Sequence, residues 1–148
     1  MPIIANPRPA ATVVVLRDGP AGPEVFMVRR HADTAFMGGA HVFPGGRVDA
    51  ADGNADGAWC DGIEHAARQL NGLPAAEALA YHVAAARELF EEAGVLLARH
   101  PGGDFVSLAG AEDHERLKQD RTRVHEGQTT LRAVIEREGL HLALDALV

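Results

Sequence analysis

Only one cysteine, Cys60, one tryptophan, Trp59, and one tyrosine, Tyr81, occur in the 148 residues. A lone thiol excludes an intrachain disulfide and a zinc site built from several cysteines, and it suits a reducing compartment. Basic charge is also short: 14 Lys and Arg stand against 21 Asp and Glu, a net charge of -7. Such a chain is not expected to coat nucleic acid, which needs a basic face to neutralise phosphate. No apolar run approaches the roughly 20 residues of a membrane span. The opening MPIIANPRPAATVVVL has prolines and no basic-then-apolar order, so it does not read as a secretion signal. A cytoplasmic protein is the expectation. What remains is 47% hydrophobic and 24% charged residues, enough for the buried core of one domain. There is no internal repeat and no low-complexity tract.

The first third reads as strands. Ala11 to Leu16 is rich in β-branched residues and is followed by the turn segment Arg17 to Pro23, which predicts a hairpin into the apolar run Glu24 to Arg30. Two glycine pairs, Gly38-Gly39 and Gly45-Gly46, bracket a short strand, His41 to Phe43. After Pro44, the second pair marks a sharp turn or a close approach to a ligand. From Ala50 the texture changes to a loop of turn formers, then a helix over Ala58 to Leu70 that ends at Asn71-Gly72. Pro74 suits a helix first turn, and Ala75 to Ala93 carries helix formers throughout, with Leu79, Val83, Ala86, Phe90 and Ala93 as the apolar stripe. Gly94 closes it, and Val95-Leu96-Leu97 predicts another strand. Glu112 to Glu126 and Thr129 to Glu138 read as two polar helices.

Chemistry concentrates in Arg87 to Val95. On a helix Glu88, Glu91 and Glu92 lie at i, i+3 and i+4, so three carboxylates share a face. Like charges at that spacing cost roughly 0.2–0.5 kcal/mol per pair. Arg87 can pair with Glu91 but cannot neutralise all three. A hard divalent cation can, and carboxylate oxygens are the ligands that Mg²⁺ and Mn²⁺ prefer. A plain solvated acidic face is the alternative that spacing alone leaves open.

The surrounding letters decide between them. Arg87-Glu88-Leu89-Phe90-Glu91-Glu92-Ala93-Gly94-Val95 matches the REUxEExGU half of the Nudix box, where U is aliphatic, and His41-Val42-Phe43-Pro44-Gly45-Gly46 resembles the FPGG that opens the same box. The ordinary box runs G-x5-E-x7-R, yet here Gly46 and Arg87 stand 41 positions apart, and Leu79 falls where the spacing asks for Glu. An insertion, residues 51–73, accounts for the gap. The chain therefore resembles the long-insertion branch of the Nudix superfamily, which includes peroxisomal coenzyme A diphosphatases and their bacterial relatives.

That resemblance implies an α/β fold, the Nudix α/β/α sandwich with a mixed sheet and a helical insertion in the box loop. It divides the chain into N-terminal strands with the FPGG turn (residues 1–50), the insertion (51–73), the box helix and a following strand (74–100) and a helical segment (101–148). The core looks cut short at the C-terminal end, where relatives add strands, and a homodimer could cover the open edge. The resemblance further implies Glu88, Glu91 and Glu92 as ligands of Mg²⁺ or Mn²⁺, the Gly46 carbonyl as a further ligand, and Arg87 as the residue that orients a glutamate. Asp49 or Asp52 could stand in for the glutamate lost at Leu79. A coenzyme A pattern before the FPGG is matched at Arg30 and Gly39, while its second arginine falls on Ala35; with Gly45 and Gly46 these form the implied substrate side.

The implied activity is metal-dependent hydrolysis of a diphosphate bond in a small-molecule, nucleoside-diphosphate-linked substrate, with coenzyme A or its acyl esters favoured. Glu91 is a candidate for the proton-accepting group. A catalytically silent nucleotide-binding or regulatory module on the same fold, or an inactive fragment, is the competing expectation. Bland roles are expected elsewhere: Cys60 as a small buried apolar group, Trp59 as the anchor of the insertion, and His114 and His125 as ordinary histidines of a polar helix. The histidine spacings contain no HxxxH or HExxH, so zinc is not expected.

Overall fold

The structure is a computed structural model and describes residues 6–148. Its organising element is the helix α2, Ala75–Ala93, with Pro74 at its N-cap and Gly94 closing it in the left-handed conformation at φ 70°. The bounds are those the helix formers and the Pro/Gly punctuation predict. Around α2 lie the helix α1, Ile63–Gln69, a 3-10 turn at Ala50–Gly53, the strands β1, Ala10–Thr12, and β6, Gly45–Arg47, and the helix α3, Ala111–His125.

The apolar side of α2 explains its place. Val83, Ala86, Leu89 and Phe90 are all at most 2% exposed. Val83, Ala86 and Phe90 pack in a core with Trp59, Ile135, Leu142 and Leu144. Leu79 is half-buried against that cluster. A short helix α4, Leu131–Arg137, capped by Thr130, whose side chain accepts from the Ala133 N–H, contributes Val134 and Ile135. The expected roles of two residues are met: Trp59 and Cys60 are both buried in the core. Burial pushes the Cys60 thiol up to about 12, aided by Asp56, so it stays a neutral apolar group.

The strands differ from expectation in informative ways. The apolar run at the start divides into β1 and β2, Val15–Gly19, and the next into β3, Gly22–Phe26, and β4, Val28–Arg29. β2 and β3 form the predicted hairpin, but pairing runs on to Gly19 opposite Gly22, so Pro20 and Ala21 alone make the turn. The segment Arg17 to Pro23 is strand more than loop. β5, His41–Val42, pairs with β4. Gly45-Gly46 is no turn: it lies inside β6, paired antiparallel with β1.

The mixed sheet has three strands in the order β7-β9-β8, with β7 at Cys60–Asp61, β8 at Ala98–Arg99 and β9 at His141–Ala143. β9 runs parallel to β7 and antiparallel to β8. The helix expected from Ala58 therefore starts only at Ile63, because Cys60 and Asp61 are drawn into the sheet. The strand expected at Val95 begins three residues later, at Ala98. The segment 101–148, read as helical, also supplies the central strand of this sheet. No helix among the described residues is long and apolar enough to cross a membrane.

Phe90 ties the acidic helix to the core, so Phe90→Ala should cost about 3–5 kcal/mol through lost burial and the cavity left behind. Urea unfolding followed by emission from the single, buried Trp59 measures it, with a lower midpoint at an unchanged slope expected.

Candidate active site

The guanidinium of Arg87, 12% exposed at its side chain, uses all five of its N–H donors. Nε and Nη2 grip the Asp52 carboxylate at 3.0 Å each, Nη2 also reaches the Arg47 carbonyl at 2.8 Å, and Nη1 spans Glu88 and Glu91 at 2.9 Å each. Asp52 lies in the 3-10 turn and is 2% exposed. Of the two aspartates expected to replace the glutamate lost at Leu79, Asp52 makes the fork-to-fork pair. Asp49 stands 3.7 Å from Nη2, 59% exposed, and its N–H donates to Asp52 at 2.8 Å.

β6 meets the acidic face edge-on. The Gly45 N–H donates to Glu92 at 3.0 Å. A Cβ at Gly46 would overlap the Glu88 carboxylate, and one at Gly45 would strike the backbone of Ala11 and Thr12. Close approach, and not a left-handed φ, is thus the reason for both glycines, since neither has positive φ. The expected turn is corrected; the expected close approach is present, to a carboxylate of the chain itself.

Burial raises the Glu88 carboxyl above the usual carboxylate range; Arg87 opposes this, and Glu91 and Glu92 reinforce it. Arg87 is held well above its ordinary value: burial alone would lower it, but the hydrogen bonds to Asp52 and Glu91 outweigh that. The cluster carries more negative charge than one guanidinium offsets.

The donor set suits a hard cation. One oxygen of Glu88 and one of Glu92 have no hydrogen-bond partner among the described residues, whereas Glu91 is engaged at both, by Arg87 and by His125 at 3.2 Å. No three metal-ligating side chains converge on one point among the described residues. Mg²⁺ does not require that, because it commonly takes one or two carboxylates and completes its shell with water and substrate phosphate.

Of the residues predicted for the site, Arg87, Glu88, Glu91, Glu92, Gly45 and Gly46 come together. Arg30 and Gly39 do not join them. They close a loop of their own, with the Gly39 N–H donating to the Arg30 carbonyl at 3.2 Å and Arg30 Nη1 donating to the Phe36 carbonyl at 3.1 Å. Two residues were missed. Arg121 on α3 donates to the carbonyls of Glu91 and Glu92, and His125, read as an ordinary surface histidine, reaches Glu91. The only sequence signal was their i, i+4 spacing, which any solvated helix face also shows.

No family model matches the chain. It is 35% identical to "Acyl-coenzyme A diphosphatase NUDT19" of Gallus gallus over 57% of its own length, and 34% identical to the Homo sapiens protein of that name over 62%. The chain covers 28% and 31% of those proteins, less than a third of either. It also resembles a solved structure, the crystal structure of a NUDIX hydrolase from Alicyclobacillus acidocaldarius, with a TM-score of 0.65 and 28% identity, over 95% of this chain and 59% of that one.

Two variants probe the charge balance. Asp52→Ala removes the bidentate partner of a buried guanidinium and should destabilise the fold by about 3 kcal/mol in chemical denaturation. Glu88→Gln should behave oppositely. Because folding raises the Glu88 pKa, ionisation weakens the folded state, a cost that begins as pH rises past the carboxyl's unfolded value and is complete above its folded one. In chelator at pH 7.5 the melting temperature of Glu88→Gln should therefore equal or exceed that of wild type, with the difference vanishing as pH falls and Glu88 itself becomes protonated.

Proposed function

Because the chain belongs to the Nudix superfamily, we propose that it hydrolyses a diphosphate bond in a nucleoside-diphosphate-linked small molecule, with coenzyme A or an acyl-coenzyme A as the favoured substrate. One observation carries the reading. Glu88 and Glu92 each hold an oxygen with no hydrogen-bond partner among the described residues at the edge of β6, on a helix whose arginine is locked by Asp52. The names of the curated relatives favour the coenzyme A choice.

Glu88 and Glu92, with Glu91 and the Gly46 carbonyl beside them, are the residues that would hold Mg²⁺ or Mn²⁺. When bound, such an ion neutralises charge on the phosphate oxygens and makes a coordinated water more acidic. The chain's own residues do the positioning. Arg87 fixes Glu88 and Glu91 from one side, and the Gly45 N–H fixes Glu92 from the other, so the carboxylates meet the substrate with little rearrangement. Glu91 is the candidate to accept the proton of the attacking water. The loop closed by Arg30 and Gly39, joined to Gly45 through β5, is the candidate to face the remainder of the substrate.

The test is a mass-spectrometric product scan with Mg²⁺ or Mn²⁺ and a panel of coenzyme A, an acyl-coenzyme A, NADH, ADP-ribose and dinucleoside polyphosphates. Wild type should split the diphosphate, and Glu92→Gln should lose at least about 100-fold in rate while keeping its fold. Nucleotide binding without turnover at any metal concentration would favour a silent binding module instead, and full activity in Glu92→Gln would overturn the assignment of the site.

A further inference from the structure

The acidic helix ends almost as soon as it has delivered its carboxylates. Glu91 and Glu92 are the third- and second-last residues of α2, which closes at Ala93. The last turn of a helix has carbonyls with no intrahelical donor, and such turns fray. Fraying here would displace two of the three glutamates and leave Glu88, one turn further in, where it is.

α3 meets this turn with a matched pair of side chains. Arg121 Nε donates to the Glu91 carbonyl and Nη2 to the Glu92 carbonyl, both at 2.6 Å, so one fork holds two neighbouring orphan acceptors. The same guanidinium lies along Gly94, where even a Cβ would sit 3.6 Å from Nη1. A cation at a helix C-terminus also complements the negative end of the dipole. One turn on, His125 Nδ1 stands 3.2 Å from the outer oxygen of Glu91. Arg121 thus takes the backbone of the turn and His125 one of its side chains.

We infer that Arg121, seconded by His125, is a positioning residue of the site: it clamps the final turn of α2 so that Glu91 holds its place beside Arg87 and Glu92 its place against β6. The inference builds on the metal-dependent hydrolase reading but concerns Arg121, which touches only the backbone of the turn, and His125, which meets the site only through Glu91. α3 is then part of the active-site scaffold, and its charge pattern has a function that its polar sequence does not announce.

Mn²⁺ alone is the probe, titrated against the full chain and followed by electron paramagnetic resonance. Arg121→Ala should bind Mn²⁺ about tenfold more weakly than wild type, the scale found when a residue supporting a ligand is lost. Ethylguanidinium in the buffer should restore part of that affinity, which a merely unstable variant would not show. Arg116→Ala, on the same helix but paired with Asp113 and Glu138, should bind as wild type does. Unchanged affinity in a folded Arg121→Ala overturns the inference. Should that variant not fold, Arg121→Lys, with the charge but without the fork, makes the same comparison.

Hydrogen exchange in chelator separates this inference from the reading it rests on. Amides of residues 90–97 should exchange about fivefold faster in Arg121→Ala, with residues 75–86 unchanged, as for loss of a cap. Equal exchange, or acceleration everywhere, overturns the clamp. A wild-type chain that binds no Mn²⁺ overturns the metal reading of the site, and the exchange result then decides the clamp by itself.

Discussion

The guanidinium of Arg87 is the point on which the acidic face is assembled. Two stretches far apart in sequence converge on it: residues 47–52, through the Arg47 carbonyl of β6 and Asp52 of the 3-10 turn, and α2, through Glu88 and Glu91. A carboxylate cluster this well buried would repel itself in the absence of a cation, and a buried guanidinium would be costly without acceptors for every N–H. Each group makes the other tolerable. Because the donors form a rigid planar fork, the arrangement fixes directions as well as charge, which a lysine could not do.

The compensation is incomplete, and the remainder is informative. Glu88 keeps a raised pKa in spite of Arg87, since burial and its two glutamate neighbours work against ionisation. Stability alone would favour fewer carboxylates on this face. Strain of this kind gathers where a protein meets a ligand that relieves it. The glycines of β6 follow the same logic: they give up side chains so that a strand can lie directly against charged groups.

Local sequence was a good guide to local structure and a poor one to partners. The helix formers between Pro74 and Gly94 set α2 to the residue, and the letters of its last turns, with the glycine pair upstream, point to six residues that the structure brings together. β7 was lost because Cys60–Asp61 is only two residues long and its ladder partner lies in β9, so nothing nearby in sequence marks it. The glycine pair reads as a sharp turn or a close approach to a ligand because glycine permits both, while the group it approaches, Glu88, belongs to a helix about 40 residues away. Asp52 was one of two choices because spacing along a loop does not say which carboxylate turns inward. Arg121 and His125 were hidden for the converse reason: on a polar helix, the side chains that meet a neighbour look like those that meet water.

The place of β9 also governs when this molecule can acquire its shape. The central strand of the mixed sheet pairs with residues about 80 positions earlier, as the contact of His141 with Asp61 marks. Pairings of that separation close large loops and form late. During synthesis, α2 and the hairpin can form as soon as they emerge, but Trp59, Cys60 and the apolar side of α2 stay without their cover until Leu142 and Leu144 arrive. A nascent chain would therefore show its greasiest surface from the emergence of Trp59 until Leu144 follows, a window in which chaperone contact or misassociation is decided.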